Sequence, residues 1–259
     1  MPDPVPSDFD DLVQAAMAAP IDGWDFSWLE GRATESRPPW GYHRLAARRI
    51  GEARALLDVQ TGGGEVLAEL LAAAPTCPSL VRATESWPPN AAHARHLLAP
   101  LGAQVVEVDD DDLLPFDDAT FDLVLSRHPV VTPWAELARV LGPGGTYLAQ
   151  HVGSGSNREL TDFLMGPQPV SDLRSPERAV ADAGRAGLSV RDLQRATVRL
   201  EFFDVGAVVY FLRLVVWTVP DFDLERYRER LLALHEVIGR QGSFVSRAHR
   251  FLIEAARPG

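Results

Sequence analysis

The chain has 259 residues, 46% of them hydrophobic, and a formal charge of -11 at pH 7. That length supplies one large core with appendages, and the acidity argues against a broad phosphate-binding surface, so nucleic acid is disfavoured as a partner. One cysteine, Cys77, rules out an intrachain disulfide and a cysteine-held zinc.

The opening Met1-Pro2-Asp3-Pro4 has neither the basic start nor the apolar stretch of a secretory leader. No apolar run reaches the ~18 residues that span a bilayer, so a cytoplasmic location without membrane insertion is expected. Phe9, Leu12, Val13, Ala16 and Met17 share one helical face over residues 9 to 19, and Pro20 ends that helix. The next stretch, Trp24 to His43, crowds three tryptophans and two arginines without regular periodicity. It reads either as a lid over an apolar substrate, with Trp40, Tyr42 and Arg37 as its substrate residues, or as an arm anchored on the core. A helix from Arg44 to Ile50 delivers the chain to the first strand, so residues 1 to 50 form an N-terminal cap and 51 to 259 the main domain.

The apolar run Ala55 to Val59 is broken by Gly62-Gly63-Gly64 and resumes as Val66, Leu67, Leu70 and Leu71 at helical spacing. Strand, tight turn and helix in that order bring unpaired N–H groups and a partial positive charge to one point, a place for a small polar cofactor. Twenty-one residues after Gly64 stands Glu85, at the end of the apolar Leu80 to Thr84, where a carboxylate could accept bonds from both ribose hydroxyls. Pro88 and Pro89 open a helix to about Leu98. Further strands follow at 103 to 108, 121 to 125 and 146 to 152, with a helix from Trp134 to Leu141 closed by Gly142-Pro143-Gly144-Gly145.

Downstream, Ser175 caps a helix that starts at Pro176, residues 188 to 203 read as a long strand, and 243 to 255 as the last. Between these two strands, about 204 to 240 forms a helical insertion. Its first part is too apolar for a surface helix, which points either to core packing or to a substrate wall carrying Tyr210, Phe211 and Trp217. Strands alternating with helices imply an α/β fold, a parallel sheet covered on both faces with its ligand at the strands' C-terminal ends.

Over roughly residues 50 to 160 the chain resembles the class I S-adenosylmethionine-dependent methyltransferases, in particular the ubiquinone and menaquinone C-methyltransferase branch. The resemblance rests on Leu57 to Gly64, on Glu85, on Asp110 to Asp122 with its Leu-Pro-Phe and Phe-Asp, and on Glu136 to Gly145. It implies a Rossmann-like, seven-stranded, mostly parallel sheet with an antiparallel last strand, behind the N-terminal helical and aromatic cap. It also implies S-adenosyl-L-methionine as cofactor. Asp58 and the backbone of Thr61, Gly62, Gly63 and Gly64 would hold its methionine end and Glu85 its ribose. Asp110 and Asp111 would meet the adenine, with Trp87 against the ring and Ser86 beside it, and Ser126 would line the methyl-transfer chamber. One position departs from the pattern: Gln60 stands where the family has glycine, so it must turn its side chain away or make a contact of its own.

Methyl transfer from a sulfonium needs a base only when the acceptor holds its proton tightly. His128 and then His151 are the candidate bases, against the competing reading that each is a satisfied core histidine. No metal is expected. The function this supports is methyl transfer to a small, apolar or aromatic acceptor, with a homodimer left open. A ribosomal RNA guanine methyltransferase and a non-catalytic binding module of the same fold are the alternatives.

Overall fold

The computed structural model describes residues 9–21 and 26–259. The proline-rich opening and Trp24, at the start of the aromatic stretch, lie outside the described residues. The chain forms two compact units, one of residues 38–154, 172–196 and 250–259 and the other of the N-terminal segment to Arg37, 155–171 and 197–249.

The larger unit carries the strand-and-helix alternation. Helix α2 (Tyr42–Glu52) precedes β2 (Ala55–Asp58), α3 (Glu65–Ala73), β3 (Leu80–Glu85), α4 (Pro88–Leu98) and β4 (Gln104–Glu107). Then come β5 (Phe121–Arg127), α5 (Trp134–Val140), β6 (Leu141–Val152) and α7 (Pro176–Arg185), with the first part of β7 (Ser189–Phe202) and the end of β8 (Phe244–Ala256). Strands β2, β3, β4, β5 and β6 pair in parallel and β8 runs antiparallel to β6. Both faces are buried. Leu56, Leu125, Leu148 and Leu252 pack with Ile50, Leu67 and Leu98 on one face, and Leu57, Val124, Tyr147 and Ile253 with Leu137 and Ala183 on the other. These near-continuous apolar strands are what a doubly covered sheet demands.

The smaller unit is built around α8 (Val205–Leu214), with α1 (Phe9–Ala18), α6 (Arg158–Met165) and α9 (Leu224–Gln241). Nine of the ten residues of α8 are buried. Asp204 caps it, accepting from Ala207 N at 2.8 Å, and pairs with Arg32 at 3.2 Å. At Gly206 a Cβ would lie 2.7 Å from the Leu12 carbonyl, so α1 approaches α8 only because that residue is glycine.

Two sequence expectations are corrected here. Among the described residues the sheet has eight strands in the order β1-β7-β8-β6-β5-β2-β3-β4, not seven. The extra one is β1 (Ala33–Glu35), antiparallel to β7 with Ala33 opposite Phe202. One partly buried and two exposed residues give no alternation to read, and β7's partnership alone makes them a strand. The strand expected from Thr146 begins already at Leu141, so Gly142 to Gly145 lie inside β6, where Gly144 N donates to Arg257 O and Arg257 N to Gly145 O, both at 2.9 Å. Helix α2 also starts earlier than expected, at Tyr42, behind a left-handed Gly41.

Candidate cofactor and methyl-transfer site

The site is assembled at the C-terminal ends of β2, β3 and β5, in the larger unit. After Asp58 the chain turns through Gln60, Thr61 and the three glycines before α3 begins. Gly62 and Gly64 have φ of +65° and +88°, conformations that L side chains resist. A Cβ on Gly64 would also lie 3.0 Å from Leu98 and 3.3 Å from the Ala94 backbone on α4, so this glycine serves packing as well as the turn. Thr61 N donates to Thr84 O at 2.9 Å, which ties the loop to the end of β3.

Glu85 is fixed from two sides. Its Oε2 accepts from Gly62 N at 2.9 Å and its Oε1 from Trp87 N at 3.1 Å. The Asn90 side chain bonds it as well, and the carboxylate's remaining acceptor capacity is what a ribose hydroxyl requires. Burial raises its pKa, and the same holds for Asp110, which Ser86 holds partly down by a hydrogen bond. Asp58 is pushed up to about 7, by burial first and by the charge of Glu85 as well, while the Thr61 hydroxyl beside it acts in the opposite direction. Thr61 Oγ1 is nonetheless buried without a well-formed hydrogen bond. Three carboxyl groups in shared desolvation and an orphaned hydroxyl at the loop make a site for a ligand that is cationic at one end and polyhydroxylated at the other. S-adenosylmethionine has that make-up, and these residues fit it.

Gln60 solves the problem of its position by a contact of its own. It adopts φ of +59°, the conformation a glycine would have, and sends its carboxamide across to the segment after β5. Nε2 donates to Val131 O at 2.6 Å while Oε1 accepts from Val130 N at 2.7 Å. Ser126, buried at the end of β5, donates Oγ to Val59 O at 2.9 Å and accepts at its carbonyl from Tyr42 OH at 3.3 Å. Tyr42 lies beside Asp58, and its hydroxyl is raised well above the usual range by burial and then by that carboxyl.

His128 is also left-handed, at φ of +60°. Trp40 Nε1 donates to Gln150 Oε1 at 2.7 Å, and Gln150 Nε2 lies 2.9 Å from His128 Nε2. An indole is a donor only, so the Gln150 amide is oriented with its oxygen to Trp40 and its NH2 to the histidine. His128 Nε2 is therefore an acceptor and the ring proton sits on Nδ1. Burial, then the charges of Arg127 and Arg250, hold its pKa well below the usual imidazole value. This nitrogen is already engaged, which runs against the role of base.

His151 stands on the opposite face of β6, between Phe251 at 4.6 Å and Trp134 at 6.5 Å in parallel stacks. Burial, then Arg174, lowers its pKa to about 3. Its Nε2 is 3.4 Å from Tyr147 OH.

Asp111 and Arg37 are exposed and Trp87 is 46% exposed. Trp217 is partly exposed, whereas Tyr210 and Phe211 lie in the core of the smaller unit. There Tyr210 stacks on Trp28 at 4.8 Å and donates to Pro20 O, and Phe211 packs edge-on to Phe202. Sequence reasoning missed Gln150 and Tyr147. Both looked like ordinary positions of an inner strand, and only the apolar alternation broken by Gln150 marked one of them. No helix among the described residues is long and apolar enough to cross a membrane.

Comparison with known proteins agrees with this geometry. Residues 57–149 match the sequence model of the methyltransferase domain family. Among solved structures, the YcgJ protein of Bacillus subtilis superposes with a TM-score of 0.57 at 17% identity over 84% of this chain and 98% of its own. A phosphoethanolamine N-methyltransferase of Haemonchus contortus, solved with phosphomonomethylethanolamine and S-adenosylhomocysteine, does so at 0.51 and 15%, over 85% of this chain and 53% of its own. An S-adenosylmethionine-dependent methyltransferase of Mesorhizobium loti gives 0.50 and 16%, over 84% and 97%. A comparison with curated protein sequences finds no match. The structural likenesses are of fold, and the family match to the sequence carries the assignment. Residues 57–149 are thus a methyltransferase domain, set in a chain that shares the fold of these methyltransferase structures.

Proposed function

We propose that the chain is an S-adenosylmethionine-dependent enzyme that methylates a small, apolar or aromatic molecule, with Asp58, Thr61 to Gly64, Glu85, Ser86, Trp87, Asp110, Asp111 and Ser126 as the cofactor cradle. The observation that carries the cradle is the Glu85 carboxylate, held by Gly62 N and Trp87 N in one orientation. Bound S-adenosylmethionine supplies a methyl group on a positively charged sulfur. The chain's own contribution is position and dryness. Asp58 meets the cationic end, Glu85 the ribose, and the Gln60 carboxamide pins the segment after β5 beside them. The rings of Trp40 and Tyr42 support an apolar acceptor, because they are buried on the face of the sheet that carries Gln150, with their polar atoms bonded to Gln150 Oε1 and Ser126 O.

Neither histidine is assigned the role of base. His128 offers only a bonded Nε2, and a group with a pKa near 3 draws no proton from an acceptor at neutral pH. The reading therefore favours acceptors whose attacking atom already has a free pair. Calorimetric titration with S-adenosylhomocysteine tests it. Micromolar binding by the wild type, weakened in Glu85→Gln, is expected, and no binding by the folded wild type would overturn the cradle.

A further inference from the structure

The wiring of His128 points beyond the cofactor to the acceptor. In the parallel register Arg127 of β5 lies beside Gln150 of β6, and in the antiparallel register Arg250 of β8 lies opposite Val152. Partners in register share a face, so Arg127 and Arg250 stand on the face that carries Gln150 and its Trp40 bond. Successive strand residues alternate, and His128 would ordinarily fall on the other side. Its left-handed backbone turns the ring back onto the Gln150 amide. That conformation is strained for a residue with a side chain, and what it achieves is one fixed tautomer with a protonated Nδ1. The Nδ1 proton makes no bond within the described residues. A neutral donor is thus held within the positive field of Arg127, the residue before it and the register partner of Gln150, and of Arg250 on β8.

We propose that the methyl acceptor carries a carboxylate, one oxygen of which accepts from His128 Nδ1 while Arg127 supplies the opposing charge. The proposal rests on the acceptor reading given above and narrows it to aromatic acids. A carboxylate suits the set because it accepts through two coplanar oxygens, one for a single N–H and one for the guanidinium fork. In this arrangement Trp40 and Gln150 are positioning residues, acting through the histidine they orient.

The test is titration of the protein with benzoate and with benzamide, nearly isosteric but uncharged, each with and without S-adenosylhomocysteine, followed through the ring nitrogens of His128 by NMR. The expected result is a His128 ring protonated on Nδ1 alone, and benzoate binding at least about tenfold tighter than benzamide. Arg127→Gln, an exposed position whose replacement leaves the core intact, should remove that preference and leave S-adenosylhomocysteine affinity unchanged. His128→Phe should do the same. Equal binding of the two probes, or no response of His128 to benzoate while S-adenosylhomocysteine still binds, would overturn the proposal. Loss of S-adenosylhomocysteine binding with the benzoate preference intact would instead sink the cofactor cradle and leave this site standing.

Discussion

Gln60 and Val131 are joined by a 2.6 Å bond from the Gln60 side-chain nitrogen to the Val131 carbonyl, and the Gln60 oxygen returns the contact by accepting from Val130 N. The carboxamide thus pairs with the backbone after β5 as a neighbouring strand would. Replacing it separates two opposing effects. In Gln60→Ala both bonds are lost and the left-handed φ is kept, so stability should fall by about 1–2 kcal/mol. In Gln60→Gly the loss is offset by about 1 kcal/mol of relieved backbone strain, so the protein should be close to wild type in urea. Amide exchange at Val130 should rise in both variants, by about tenfold or more. Unchanged exchange would mean that the segment after β5 is held by something other than Gln60.

Glu85 gives the second expectation. Glutamine at that position brings an NH2 group toward Gly62 N or Trp87 N, where one donor then faces another. Affinity for S-adenosylhomocysteine should drop at least about tenfold, with a stability cost of about 1–3 kcal/mol from the unsatisfied N–H. Calorimetry and urea denaturation of the same sample read both. A stability loss without an affinity loss would limit Glu85 to bracing the glycine loop.

How much of this was legible before the structure follows from how far apart the partners are. The turn after β2 could be read because its glycines, its apolar strand and its amphipathic helix are contiguous. Glu85 could be read because strand and helix lengths repeat, so a strand end recurs after a set spacing. Gln60 could be flagged as a departure, but its partners lie 70 and 71 residues away in a segment without periodicity. The relay from Trp40 through Gln150 to His128 spans 110 and then 22 residues. Nothing local in the sequence marks a tautomer. Residues 33 to 35 had too little length to declare themselves a strand, and Tyr210 and Phe211 had an apolar setting that served core and substrate readings equally.

Asp58 carries a pH expectation with a definite sign. Its pKa is about 7 in the folded protein against an ordinary value of 3.8. The folded state therefore holds a proton that the unfolded state gives up, and stability falls as pH rises from about 4 to about 7. Asp58→Asn should leave stability near wild type at pH 4 and raise it at pH 8, by on the order of 2–4 kcal/mol. The same variant should lose affinity for S-adenosylhomocysteine, because the cationic end of that ligand loses its counter-charge. In the wild type, binding at pH 6 should release a proton, visible as a dependence of the calorimetric heat on buffer ionisation enthalpy. Equal stability of the variant at pH 4 and 8, relative to wild type, would show Asp58 to be solvated.

His151 works in the opposite direction. Stacked between Phe251 and Trp134 and desolvated, it has a pKa of about 3, against 6.5 for a free imidazole. Below pH 6.5 the unfolded chain takes up a proton that the folded chain refuses, so the stability present above 6.5 is lost as pH falls toward 3. The loss is about 1.4 kcal/mol for each pH unit below 6.5, or about 2 kcal/mol at pH 5. His128 adds a slope of the same sign and Asp58 one of the opposite sign, so the wild-type curve alone does not isolate His151. The difference between wild type and His151→Phe does. Phenylalanine keeps the stack and removes the titration, at the cost of the Nε2 partner of Tyr147 OH. At pH 7.5 the variant should be less stable by about 1 kcal/mol for that lost bond, and at pH 5 it should be the more stable of the two by about 1 kcal/mol. A gap that stays constant between pH 7.5 and pH 5 would mean that the imidazole reaches water in the folded protein and titrates normally.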